Sequence, residues 1–195
     1  ATLERPPVFF FFLLHEWAMV YKAPVARYPE IPFRLSHSEI EAVVEESPLR
    51  CTHYDAFRFF TDAARPLNRS ELGPKVVQDH DQGGCIHANM DLYRLGYKIA
   101  PFVESELMAD LFFLAKDARE IDMRASPYDL SSYGFEPLCI ETREGRESYV
   151  QEQRRISELA RPLREKLLQV YTELRDALLE GDAVHSDCTG FPPSA

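Results

Sequence analysis

No glycine-rich phosphate loop occurs in this sequence. Its 8 glycines never fall into Gly-x-Gly-x-x-Gly or a Walker-type pattern, so a nucleotide-cofactor reading has no motif behind it. Gly-x-Ser-x-Gly is absent as well, which removes the serine-hydrolase elbow. No apolar run approaches the roughly 20 residues of a membrane-spanning helix. The nearest, VFFFFLL from Val8 to Leu14, stops at His15 and Glu16. Neither a Lys/Arg-rich start nor a small-residue cleavage site flanks it, as a signal peptide would require. No membrane partner is expected.

Cysteine is scarce. The 4 residues at 51, 85, 139 and 188 lack the dense, regular spacing of a small disulfide scaffold. A reducing, cytoplasmic setting is the simpler expectation. Basic charge is also short: 22 Lys and Arg face 32 Asp and Glu, for a net charge of −10. That balance argues against a general nucleic-acid binder, which needs clustered cations to displace phosphate counterions. Tryptophan is nearly absent, but 13 Phe, 9 Tyr and a hydrophobic content of 45% supply a thick aromatic core. At 195 residues the chain is long enough for one domain. It opens on Ala rather than Met, so a processed or N-terminally shortened product is expected.

The periodicity predicts a mainly α, single-domain, helical bundle-like fold, with at most a short two-stranded β patch. The domain is expected over 1–180, with a disordered tail at 181–195. Residues 8–22 read as one buried helix. Ser38 and Glu41 fit a capping box for the next. A further helix is expected from about Asp55, and the polar stretch 66–84 reads as a surface loop or lid. Leu107, Leu111, Leu114, Ala118 and Ile121 form one apolar stripe, the mark of a helix buried on one face. Residues 147–180 repeat that spacing, and Pro162 is expected to start or kink a helix there. LRCT (49–52) and LCIE (138–141) are the strand candidates.

Chemistry gathers in two places. CTHYD (51–55) and CIHANMD (85–91) each run Cys-x-His and then reach an Asp. His87 and Asp91 stand four apart and share a helix face. If 53–60 packs beside 87–97, His53, Asp55, His87 and Asp91 converge. Such a set suits Fe, Mn or Zn, or metal-free acid–base work. His15 and Glu16 are further ligand candidates, although a bare charge in an apolar helix is costly. Cys-x-His is not the spacing of a structural zinc site. Cys51 and Cys85 are therefore expected as small buried side chains, and the reducing setting disfavours a disulfide between them.

The second place is DMRASPYDL (122–130), with Asp122, Arg124, Ser126, Tyr128 and Asp129 in a Pro-containing loop. Arg124 suits bidentate binding of phosphate or carboxylate. The plainer alternative is a capping loop with an Arg–Asp pair. Arg58 and Arg65 either add anion contacts or neutralise nearby acids.

In order, LHEWAMVY, RCTHYDAFRFFT with ARPLN, GCIHANMDLY with YK, and DMRASPYDL with YG resemble a bacterial family. That family is frequent in actinobacteria and is usually labelled 3-methyladenine DNA glycosylase. The likeness runs from residue 8 to residue 175. It implies a cofactor-free hydrolase in DNA repair. Damaged DNA would be the partner, and an alkylated adenine would be flipped out and its N-glycosidic bond cut. Stacking would fall to Tyr54, Tyr128 or Trp17. The assisting carboxylate would be Asp55, Asp91 or Asp129. Arg58 and Arg124 would help hold the substrate.

Two other readings stay open. One is a small-molecule enzyme with a His/carboxylate site, including a non-haem metal oxidoreductase whose facing helices supply the ligands. It would place His53, His87 and carboxylates within coordination reach. The other is a non-catalytic helical partner protein, with an exposed apolar stripe on 156–178.

Overall fold

The computed structural model describes residues 2–9, 14–75 and 77–186. Seven helices follow in order: α1 (His15–Ala18), α2 (His37–Glu46), α3 (Tyr54–Phe57), α4 (Val77–His80), α5 (Ile86–Lys98), α6 (Ser105–Arg124) and α7 (Arg143–Ser186). The fold is mainly helical, and the described residues hold no sheet. None of their helices is long and apolar enough to cross a membrane.

The centre is α5, α6 and α7 packed on one another. The expected stripe on α6 is the buried one: Leu107, Leu111, Leu114, Ala118 and Ile121 all turn inward. Ile156, Ala160 and Leu167 of α7 meet that core, as does Leu92 of α5. Each such leucine or isoleucine contributes about 1.5–3 kcal/mol of burial. The same phase has a second consequence. Asp122 follows Ala118 by four and therefore lies on the apolar face, 2% exposed.

Several local expectations change. Val8 and Phe9 are not helical, and α1 covers only His15–Ala18; residues 10–13 of the expected helix lie outside the described residues. The capping box is Ser36 with Glu39, two residues early. Both Ser-x-x-Glu pairs satisfy the pattern, and the first is used because the helix begins at His37. LRCT and LCIE do not pair. Instead Leu49 bridges Asn68 and Phe33 bridges Tyr128. Pro162 lies inside the continuous α7. It forfeits one backbone bond, while Ile156, Ala160 and Leu167 anchor the turns on either side. Residues 181–186, expected in the disordered tail, belong to α7; 187–195 lie outside the described residues. The 156–178 stripe is divided: Ile156 and Leu167 point into the core, while Leu159 and Leu178 are exposed.

Candidate functional site

Three elements bring three imidazoles together. His15 opens α1. His53 is the N-cap of α3, in extended geometry, and its carbonyl accepts the Ala56 and Phe57 amides. His87 sits in the first turn of α5. The rings of His15 and His87 meet edge to face at 4.2 Å, and those of His53 and His87 stack at 5.6 Å.

The inner half of the site is buried. His15 Nε2 lies 2.8 Å from Asp122 Oδ1, and His87 Nε2 lies 3.9 Å from Asp122 Oδ2. The Arg119 Nη1 atom stands 2.6 Å from Asp122 Oδ2 and 2.9 Å from Glu16 Oε1. Burial alone would raise the Asp122 pKa. Its cationic neighbours, His15 first, outweigh that and hold the carboxyl well below its usual range. Burial, reinforced by the His15 charge, pushes His87 down to about 3. Its imidazole is therefore neutral, the form that binds a metal. Burial also works against the Arg119 charge, but Asp122 and Glu16 more than offset it and keep the guanidinium protonated.

The outer half is wetter. His53 Nδ1 contacts Asp81 Oδ1 at 3.0 Å, and His53 Nε2 stands 3.5 Å from Asp91 Oδ2. Arg94 ties Asp91 at 2.5 Å and Asp55 at 3.3 Å, and Arg58 reaches Asp55 at 3.3 Å. Both halves open into one cleft of about 300 Å³. Glu16, His53, Asp55, His87, Asp91 and Arg119 supply its polar lining. Its lip carries Tyr28 and Phe59, and Arg27 lies 4.3 Å from the Phe59 ring.

Two ligand sets have donor atoms within 4.8 Å of one another: His15, His87 and Asp122, and separately His53, Asp55 and Asp91. The first offers two imidazoles and a carboxylate away from bulk water. In the second the carboxylates are more exposed and pair with Arg58 and Arg94, as Asp122 pairs with Arg119 in the first.

Of the residues expected from sequence, the cleft gathers Glu16, His53, Asp55, His87 and Asp91. His15 sits just behind His87. Four others are corrected. Asp129 accepts the Ser131 amide in its own turn and does not line the cleft. Arg124 donates to the Glu136 carbonyl. Tyr128 is a core residue against Phe33 and Tyr28. Trp17 is wholly buried and donates to the Ala125 carbonyl, so it offers no stacking face. Tyr54 is half-buried against the core. Asp122 is not a loop residue but the end of the α6 stripe.

Asp81 and Arg119 were not singled out. Asp81 stands in an aperiodic polar run, where no pattern marks it. Arg119 precedes Asp122 by three on a helix, a spacing that pairs charges, and that signal is in the sequence.

Cys51 and Cys85 are free and buried. Burial pushes both thiols up to about 12, so neither is a thiolate, the form that binds metal. The fourth cysteine, Cys188, lies outside the described residues.

No family model, no curated protein and no solved structure matches this chain.

Proposed function

We propose that the cleft is the active site of a metal-dependent enzyme acting on a small polar substrate. One observation carries this: two imidazoles and a carboxylate with donor atoms within 4.8 Å, of which His87 lines the cleft. His15, His87 and Asp122 would hold a divalent ion of the type that Fe, Mn or Zn supplies, with His15 giving up its proton on binding. Arg119, itself paired with Glu16, holds the Asp122 carboxylate, the role outer partners play at metal sites. A metal bound there would polarise a substrate oxygen or a water. His53, held by Asp81 on one nitrogen and facing Asp91 on the other, moves a proton at the mouth.

A second reading rests on the lip. Tyr28 and the 39% exposed Phe59 border a space of about 300 Å³ that admits a single base, above the Asp55 and Asp91 carboxylates. This arrangement suits N-glycosidic cleavage, the activity implied by the sequence resemblance.

Cobalt(II) addition separates the two. The metal reading predicts visible ligand-field bands that saturate at one equivalent and vanish in His87→Ala. Flat spectra, together with release of 3-methyladenine from alkylated DNA, would favour the glycosylase reading instead.

A further inference from the structure

A second pocket, of about 190 Å³, lies on the other side of α5 from the cleft. His87 and Asp91 face the cleft, while Asn89 lines this pocket. Its wall holds Arg5, Arg154, Arg161 and Arg164 against a single acid, Glu158. This is the reverse of the charge balance of the whole chain, −10.

The partners of these arginines are the informative feature. Arg164 donates to the Ala88 carbonyl at 3.1 Å and to Asn89 Oδ1 at 2.6 Å, both neutral oxygens. Arg5 donates to the Asp81 carbonyl. Arg154 lies 4.7 Å over the Phe9 ring. Among the described residues, none of these three reaches a carboxylate. Arg161 alone has one, Glu165 at 3.2 Å. Burial lowers the Arg164 pKa, with Asp81, Cys85 and Asp91 opposing only in part. A guanidinium taken from water without a counter-charge is costly. Arg164 bears that cost, and with Arg5 and Arg154 beside it in one recess an anion would offset it.

We infer that this recess binds a phosphate group as its dianion. Four guanidiniums against Glu158 and the Arg161-paired Glu165 leave a balance of two positive charges. That balance matches a phosphate monoester or inorganic phosphate better than a monocarboxylate. Planar guanidiniums suit paired hydrogen bonds to phosphate oxygens. Arg164 is pre-oriented by its two neutral contacts, and Arg154 stands exposed at the rim. This assignment does not depend on the metal reading of the cleft.

Isothermal titration of the full chain at pH 8 and fixed ionic strength tests it. The probes are inorganic phosphate, glycerol phosphate, dimethyl phosphate and chloride. Saturable one-to-one binding of phosphate is expected, at least about tenfold weaker in Arg154→Gln and in Arg164→Gln. Arg154 is exposed, so its variant keeps the core intact and the test sound even if Arg164→Gln misfolds. Tighter binding of glycerol phosphate would assign the site to a phosphorylated organic molecule, and equal or weaker binding to free phosphate. Absence of saturable heat, or unchanged binding in Arg154→Gln, would mean an adventitious ion only and overturn the assignment. Equal affinity for the monoanionic dimethyl phosphate would overturn the charge argument.

Discussion

His15 Nε2 and Asp122 Oδ1 lie 2.8 Å apart with 3% and 2% of their side chains exposed. They come from the first and sixth helices and join the N-terminal segment to the bundle behind His87. Removing one partner of a buried charged set leaves the other uncompensated. Asp122→Ala is expected to cost about 3–5 kcal/mol. Urea unfolding measures this, and Arg119→Ala in the same background should show coupling of about 0.5–3 kcal/mol. Additive effects would mean that the two side chains do not act together.

Trp17 is the single tryptophan, fully buried and bonded to the Ala125 carbonyl. Its emission is expected at short wavelength, resistant to acrylamide, and unchanged by cleft ligands. Ready quenching would place it at the surface, where the glycosylase resemblance would use it for stacking.

Arg34 grips Glu141 with both guanidinium nitrogens, at 2.8 and 3.2 Å, and reaches the Ser126 carbonyl at 3.2 Å. Burial would raise the Glu141 pKa, but the Arg34 bonds outweigh it and lower the pKa. A depressed folded-state pKa gives stability that is present above the unfolded carboxyl value, about 4.3. That stability is lost as pH falls through the lower folded value. Glu141→Gln should therefore cost about 1–2 kcal/mol near neutral pH and progressively less toward pH 3. A pH-independent difference would contradict the pairing.

Gly145 lies in the first turn of α7, where an added Cβ would run into the Cys139 carbonyl group. Backbone, unlike a side-chain tip, does not give way easily. Gly145→Ala should lose about 1–3 kcal/mol despite alanine's better helix propensity. Thermal unfolding decides this, and a gain in Tm would show that the turn is looser.

The fold class was legible because α6 and α7 carry strong periodicity. That His87 and Asp91 share one face of α5 and approach His53 and Asp55 followed from four-residue spacing and one packing assumption. Asp122 was read as a loop residue because SPYDL breaks the pattern just after it, and the helical phase that buries it was not extended past Ile121. Asp81 was out of reach, since its position depends on a tertiary contact with His53 rather than on any local pattern. Asp129 and Arg124 were misplaced because a loop rich in polar groups resembles a site even when those groups satisfy their own turn.

The central claim is that His15, His87 and Asp122 hold a metal. Elemental analysis of protein purified without a metal-binding tag, after exposure to iron, manganese and zinc, tests it most directly. The account predicts close to one equivalent of one ion, lost in His87→Ala while the circular dichroism spectrum is kept. Wild-type protein that retains no ion, or a His87→Ala variant that retains as much as wild type, would contradict it.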